Sequence, residues 1–327
     1  TLSALTIASN NANTSLAVEG DVITLSITSN ENISTPNVTI SDADSQLTDS
    51  TQGSDASWTA TVTVGANDTG LVSYSVTATD LAGNVASAVN TTTNSSSVTI
   101  DTTAPTMTIT ASEVSSGNTS NDQTLSLTFE SSSSTTNFVA NDISVTNGTI
   151  SDFSGNGTTY AATFTPQQDG ATTIAVGTPK FTDAAGNNNV ASDTFNWTYD
   201  STAPTITALT IASNNGNSSS LAKENDVITL SITTNEAISQ PTVVISDGDS
   251  VLTSSVSGSG TSWTATTTVG ASDSGTVSVS VTATDVYGNA ANAVTATTNN
   301  SSVTIDTTII TLSALTIVSD NANTALA

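Results

Sequence analysis

Residues 1–17 read TLSALTIASNNANTSLA, and residues 311–327 repeat them as TLSALTIVSDNANTALA. The central part of this stretch, LTIASNN, also occurs at 209–215. The similarity continues beyond this opening stretch, because Trp58 and Trp263 are 205 positions apart and so are Asp80 and Asp285. Internal repetition of this kind indicates a series of similar modules along the chain.

Short segments in which apolar and polar residues alternate follow one another within each module. In the first module they begin with Leu5 and Ile7 and end with Val98 and Ile100. About seven such segments in about 100 residues are typical of an immunoglobulin-like sandwich. No apolar stripe with helical spacing is present. We therefore predict an all-β fold of tandem immunoglobulin-like β-sandwich domains arranged as an extended rod.

Proline marks two of the boundaries between modules. The sequences DTTAP at 101–105 and DSTAP at 200–204 predict short, stiff links, because proline fixes φ and favours an extended residue before it. The third link, DTTII at 306–310, lacks the proline. We predict domain 1 at 1–105, domain 2 at 106–204, domain 3 at 205–309 and the first strand of a fourth repeat at 310–327.

The composition excludes several classes of function. The chain has 28 Asp+Glu and 2 Lys+Arg, a formal net charge of −26, and neither His nor Cys. Nucleic-acid binding and attraction to anionic membranes both need basic residues, and no apolar run is long enough to span a membrane. The lack of His and Cys excludes ordinary zinc, haem and iron–sulfur sites, whereas abundant oxygen ligands suit Ca²⁺. Without His, and with neither Lys in a nucleophile motif, we predict that the chain is not an enzyme.

The module ends resemble a known family. The sequences TATDLAGN at 77–84 and VTIDTTAP at 98–105 are similar to bacterial Ig-like repeats of large cell-surface adhesins and biofilm-associated proteins. In the middle module the similarity covers 138–170, 181–189 and 195–204. The resemblance implies a secreted, extracellular or cell-surface stalk that holds an adhesive tip away from the cell or builds matrix. It also implies calcium between modules, since many relatives bind it there.

Oxygen-bearing side chains recur at the end of each module where the preceding link enters. Some lie in the link itself, some after an early strand, and some in the turn before the last strands. They are Asp101, Glu130, Asp183 and Asn187 for domain 2, Asp200, Glu236, Asp285 and Asn289 for domain 3, and Glu31, Asp80 and Asn84 for domain 1. Such ligands favour Ca²⁺ at the domain junctions. The alternative is turn chemistry alone, in which Asp accepts backbone N–H groups and glycine supplies a positive φ.

Two further motifs have simpler interpretations. Asp42-Ala-Asp44 and its repeat at 247–249 are more typical of solvated loop carboxylates than of a second calcium site. Trp58, Trp197 and Trp263 would stack on sugars in a lectin, but each is in phase with apolar neighbours on a strand and is expected in a core.

Three functions follow from the sequence. The first is a structural stalk whose partners are neighbouring repeats or copies of the same chain, with host or biofilm ligands bound by regions outside it. The second is a self-assembling extracellular filament, in which the strand at 310–327 completes a neighbouring molecule. The third is a carbohydrate- or protein-binding module.

Overall fold

The structure, a computed structural model, describes residues 1–318. It contains two compact units, Thr1–Tyr199 and Asp200–Ala327. Within the described residues, every regular element is a β-strand except one 3₁₀ turn, Ala140–Asp142. None of their elements is a helix long and apolar enough to cross a membrane. The predicted all-β fold of immunoglobulin-like sandwiches is confirmed.

Domain 1 forms one sandwich of three sheets, with strand orders β1-β3-β7-β6, β2-β10-β8 and β5-β4-β9. Its strands are β1 (Leu2–Ser9), β2 (Leu16–Ala17), β3 (Val22–Ser29), β4 (Asn37–Ser41), β5 (Gln46–Leu47), β6 (Ser50–Ser54), β7 (Ser57–Thr63), β8 (Gly70–Leu71), β9 (Ser73–Thr77) and β10 (Thr99–Ile100).

Domain 2 is a second sandwich in the same unit, with two sheets of order β11-β13-β15 and β12-β17-β16-β14. Its strands are β11 (Met107–Ala111), β12 (Thr119–Ser120), β13 (Leu125–Thr135), β14 (Ile143–Thr146), β15 (Gly148–Pro166), β16 (Gly170–Val176) and β17 (Phe195–Tyr199).

Domain 3, in the second unit, repeats the three sheets of domain 1 with orders β18-β20-β24-β23, β19-β27-β25 and β22-β21-β26. Its strands are β18 (Ile206–Ser213), β19 (Leu221–Ala222), β20 (Val227–Thr234), β21 (Thr242–Ser246), β22 (Val251–Leu252), β23 (Ser255–Ser259), β24 (Ser262–Thr268), β25 (Gly275–Thr276), β26 (Ser278–Thr282) and β27 (Thr304–Ile305).

Each sandwich encloses its own apolar core. Leu5 and Ile7 of β1 are buried and pair with Ile27 and Leu25 of β3, while the residues between them face outward. Burying one such side chain stabilises the folded state by about 1.5–3 kcal/mol. The alternation of apolar and polar residues therefore fixes which face of each strand points inward. The expectation that each tryptophan lies in a core holds fully only for Trp197, which is 1% exposed.

Trp58 and Trp263 lie partly buried at the margin of their cores. Each stands on the strand opposite a glycine: Trp58 pairs with Gly53 and Trp263 with Gly258. Each indole N–H donates to a backbone carbonyl at the hairpin turn, that of Asp55 for Trp58 and that of Gly260 for Trp263.

The segment after domain 3 begins as an exposed chain. Residues 310–318 lie in no strand, and Leu315 and Ile317 are 90% and 98% exposed. The remaining residues of the predicted first strand of a fourth repeat, 319–327, lie outside the described residues. That strand stays a prediction.

Candidate metal centre

A five-residue turn, Asp-x-x-Gly-Asn, follows the last strand but one of each domain, and in domains 2 and 3 it contacts the preceding link. In domain 3, one carboxylate oxygen of Asp285 accepts the backbone N–H groups of Tyr287 and Asn289, each at 2.8 Å. Its other oxygen accepts the side-chain N–H of Asn289 at 2.8 Å. Gly288 has φ +101°, which other residues rarely adopt. The turn therefore fixes a carboxylate that is only 1% exposed.

The same asparagine also holds the link. The side chain of Asn289 donates a hydrogen bond of 2.9 Å to the backbone carbonyl of Asp200. The carboxylate of Asp200 accepts the backbone N–H of Thr202 at 3.1 Å, which fixes the side chain against its own link. The Asp200 side chain is thereby placed beside the turn.

Glu236 approaches from the chain segment that follows β20. The hydroxyl of Thr234 donates to the Glu236 carbonyl at 2.6 Å, and the side chain of Asn235 donates to the Glu236 carboxylate at 3.2 Å. The side-chain oxygen of Asn235 also accepts the backbone N–H of Thr205 at 2.6 Å. These bonds position Glu236 next to the start of the domain.

The three carboxylates of Asp200, Glu236 and Asp285 meet, with one oxygen of each within 4.8 Å of the others. Two oxygens that bind one Ca²⁺ at about 2.4 Å lie at most about 5 Å apart, so the spacing suits a shared ion. Like charges at this distance repel by about 1 kcal/mol per pair in water and several times more where water is partly excluded. A divalent cation converts that repulsion into attraction.

Domain 2 reproduces the turn and the link but not the third carboxylate. Asn187 donates to the carbonyl of Asp101 at 2.8 Å and to the carboxylate of Asp183 at 3.0 Å. The other carboxylate oxygen of Asp183 accepts three backbone N–H groups, those of residues 185–187. The structure therefore brings Asp101, Asp183 and Asn187 together.

Glu130 does not join them. It is exposed within β13 and pairs with Thr108 on one side and Thr159 on the other. The hydroxyl of Ser131 donates to the carbonyl of Ser133 at 2.7 Å, as Thr234 donates to Glu236 in domain 3. Ser133, which has no carboxylate, therefore stands where Glu236 stands. Among residues 1–318, only the set of domain 3 combines three carboxylates.

In domain 1, Glu31, Asp80 and Asn84 line one shallow pocket together with Thr1 and Leu2. Asn84 donates to Asp80 through its side chain at 2.7 Å and its backbone N–H at 2.8 Å. These bonds, the side-chain one first, hold the pKa of the Asp80 carboxyl below its usual value. Domain 1 thus has the turn and a glutamate, and no link residue lies against them in the described chain.

The middle of the chain matches the model of one protein family. Residues 101–199 match the model of the bacterial Ig-like domain. This segment is a bacterial Ig-like domain. The comparison with curated proteins finds no match.

Several solved structures resemble the chain. A 1.5-MDa bacterial ice-binding adhesin has 18% identity and a TM-score of 0.41, over 94% of this chain and 100% of that one. A Ca²⁺-stabilised adhesin of an Antarctic bacterium that binds ice has 19% identity and a TM-score of 0.33, over 94% and 75%. Invasin, a bacterial integrin-binding protein, has 13% identity and a TM-score of 0.33, over 93% and 60%. These values are too low to assign a ligand to this chain.

Sequence reasoning missed a buried asparagine in the bacterial Ig-like domain. Asn189 is 1% exposed, and its side-chain oxygen accepts the N–H groups of Lys180 at 2.7 Å and Phe181 at 3.0 Å. Its side-chain nitrogen donates to the carbonyls of Gly177 at 2.8 Å and Val190 at 2.7 Å. Asn189 thus holds the strand-free segment on either side of the Asp183 turn. The asparagine-rich segment NNN at 187–189 gave no sign of which residue is buried.

The first aspartate of each Asp-x-Asp motif differs from the expectation of a solvated carboxylate, whereas Asp44 and Asp249 are exposed as expected. Asp42 is 7% exposed and accepts the N–H groups of Asp44 at 3.0 Å, Ser45 at 2.6 Å and Thr69 at 3.1 Å. Burial alone would raise the pKa of Asp42, but these N–H groups outweigh it and hold the pKa below its usual value. Asp247 makes the same contacts in domain 3, and its pKa is lowered chiefly by the N–H groups of Asp249 and Ser250. These aspartates close a loop, and each has its acceptors used by the protein.

Proposed function

We propose that this chain is a non-catalytic stalk segment of a secreted bacterial surface adhesin or biofilm-matrix protein, and that domain 3 binds Ca²⁺ through Asp200, Glu236 and Asp285. The observation that carries the calcium site is the meeting of three carboxylates, one of them buried, beside a link. The stalk is supported by the bacterial Ig-like domain at 101–199 between two sandwiches that repeat one another.

Calcium fits this donor set better than other common ions. The site offers only oxygen ligands, and Ca²⁺ accepts six to eight of them in flexible arrangements, with water completing the shell. Zn²⁺ prefers nitrogen and sulfur ligands, and Mg²⁺ demands a near-ideal octahedron. An ion bound here joins link residue Asp200 to two loops of domain 3, so it fixes the direction in which the chain enters that domain.

Calcium binding is tested by isothermal titration of the whole chain, with Glu236→Gln as the variant and Glu31→Gln as its control. The charged carboxylate of Glu236 binds the ion but makes no hydrogen bond to a backbone group. Its replacement by glutamine therefore keeps the fold. The control removes the equivalent charge from domain 1, where no link aspartate lies alongside. We expect Glu236→Gln to lose one bound Ca²⁺ per chain and Glu31→Gln to lose none.

Calorimetric melting of the same proteins gives a second measurement. At a free Ca²⁺ concentration of 100 times Kd, binding stabilises the folded state by about 2.7 kcal/mol. For a domain of about 105 residues, this corresponds to a rise in Tm of about 12 °C. Equal binding and equal melting of wild type and Glu236→Gln would contradict the calcium site.

The surface location needs a test of its own. We expect an antibody raised against residues 1–309 to label intact cells that produce the parent protein. Labelling that appears only after the cells are permeabilised would contradict the proposed stalk.

A further inference from the structure

Two side-chain amides join domains 1 and 2 within the first unit. From domain 2, the side chain of Asn187 donates to the backbone carbonyl of Asp101 in the link at 2.8 Å. From domain 1, the side chain of Asn11 donates to the backbone carbonyl of Ala185 in the turn of domain 2 at 3.0 Å. Ala185 is only 3% exposed, so little water reaches this residue. Each domain therefore supplies one donor to the joint between them.

The link between the two domains is hydrogen-bonded to both of them. On the side of domain 1, the hydroxyl of Thr102 donates to the carbonyl of Asp68 at 3.0 Å. On the side of domain 2, the N–H of Val190 donates to the carbonyl of Pro105 at 3.0 Å. Pro105 is buried and its ring fixes φ, so the link has little freedom between these two attachments.

The position of Ser133 in domain 2 matches that of Glu236 in domain 3. The hydroxyl of Ser132 accepts the N–H of the first residue of domain 2 at 2.9 Å, and the side-chain oxygen of Asn235 accepts that of the first residue of domain 3 at 2.6 Å. Ser133 and Glu236 directly follow these two residues. A neutral hydroxyl therefore stands in domain 2 at the place of a carboxylate in domain 3.

This difference decides how the charges at the joint are balanced. The affinity of a site for Ca²⁺ depends on the number of its charged ligands, and domain 2 retains two carboxylates, those of Asp101 and Asp183. Asp183 accepts three backbone N–H groups and the side chain of Asn187, and Asp101 accepts the N–H of Thr103 at 3.0 Å. Hydrogen bonds to a charged acceptor are among the stronger ones. The N–H groups therefore offset part of the negative charge that a cation would otherwise neutralise.

We infer that domains 1 and 2 form one rigid segment whose joint needs no metal ion, and that calcium acts only on the second of the two proline-containing links, the one that enters domain 3. The first part stands on the hydrogen bonds of the joint and on Ser133. The second part rests on the calcium site proposed for domain 3. The chain then has one link that is set permanently by hydrogen bonds and one that is set by the calcium concentration.

Double electron–electron resonance measures the joint in the whole chain. The sequence has no Cys, so Thr59→Cys and Thr128→Cys place one spin label on each domain, at exposed strand positions. We expect the same mean distance and the same width of the distance distribution in Ca²⁺ and in EDTA. Because both labels lie in the first unit, the result does not depend on whether domain 3 binds calcium. A distribution that shifts or broadens in EDTA would overturn the inference.

Removal of hydrogen bonds tests what sets the joint. Asn11→Ala combined with Thr102→Val removes one bond to domain 2 and one bond that holds the link on domain 1. The distance distribution between the labels should therefore broaden, by the same amount in Ca²⁺ and in EDTA. Asn10→Ala combined with Thr103→Val is the matched control, because Asn10 bonds within domain 1 and Thr103 is exposed. Equal widths in the two double variants would contradict a joint held by these bonds.

Isothermal titration with Ca²⁺ compares the two links directly. Asp101→Asn and Asp200→Asn remove the same charge from each link, and both keep an oxygen that accepts the N–H two residues further on. We expect Asp200→Asn to lose one bound Ca²⁺ per chain and Asp101→Asn to lose none. A loss in Asp101→Asn would overturn the metal-independent joint. No loss in Asp200→Asn would instead overturn the calcium site of domain 3, and with it the second part of the inference.

Addition of a carboxylate to domain 2 gives the converse result. Ser133→Glu places a carboxylate at the position of Glu236, and Ser134→Glu adds the same charge one residue further on, at an exposed position. We expect the titration of Ser133→Glu to show one more bound Ca²⁺ per chain than that of wild type, and Ser134→Glu to show none. If domain 3 binds Ca²⁺ and Ser133→Glu gains no ion, the role given to Ser133 is wrong and the inference falls.

Discussion

Replacement of Asn189 by alanine is expected to destabilise the bacterial Ig-like domain at 101–199 strongly. The side chain makes four hydrogen bonds to backbone groups and is 1% exposed, so water has little access to the groups that lose their partner. A net contribution of about 1 kcal/mol for each bond gives a loss of about 4 kcal/mol. The matched control is Asn188→Ala, because this neighbouring side chain is exposed and such substitutions usually change stability by less than about 0.5 kcal/mol.

Urea unfolding followed by tryptophan fluorescence measures the effect. Trp197 lies in the core of the same domain, so Trp58→Phe and Trp263→Phe in the background leave it as the only reporter. The unfolding midpoint of Asn189→Ala should fall well below that of Asn188→Ala at an unchanged urea dependence. A difference below about 1 kcal/mol would refute the reasoning, since it would mean that the four backbone groups find other partners.

Two further predictions concern domain 3. Because the pKa of Asp247 is lower in the folded state, its stabilising contribution is complete above the unfolded value of about 4 and is lost as the pH falls through the folded value. The free energy of unfolding, measured across pH 2–8, should therefore be constant above about pH 5 and fall in acid. Asp247→Asn should show a smaller fall, and an equal fall in the variant would contradict the prediction. Gly258→Ala should cost about 2 kcal/mol, because φ is +142° and a Cβ would overlap the carbonyl oxygen of Ser262. Gly216→Ala, with open space around it, is the control in the same urea assay, and equal midpoints would rule out the strain.

The strands were predictable because their signal is local. Alternation such as that of Leu5 and Ile7 directly reports which side of a strand is buried, and the structure places both side chains in the core. The Asp-x-x-Gly-Asn turns were predictable for the same reason, since the aspartate accepts N–H groups only two to four residues away. Their contact with the preceding link followed from the topology of a sandwich.

The third ligand position of domain 2 was not predictable in this way. Glu130 was expected after an early strand, but it lies within β13, which continues to Thr135 with an irregular register between the two residues. The residue that reaches the turn is therefore set by pairing with β15, which lies far along the chain. The roles of Asn189 and Asp42 were not predictable because their residue types are common throughout this sequence, and only the fold shows which of them are buried.

The last strand of each domain pairs with a short early strand that runs in the same direction: β10 with β2, β17 with β12 and β27 with β19. Tension along the chain draws the early strand towards the N-terminus and the last strand towards the C-terminus. Because the two strands are parallel, this pull makes them slide past one another, and their cross-strand hydrogen bonds bear the force at the same moment. Each domain is therefore closed by a shear clamp at its exit, which resists stretching more than a pair of strands that peel apart one bond at a time.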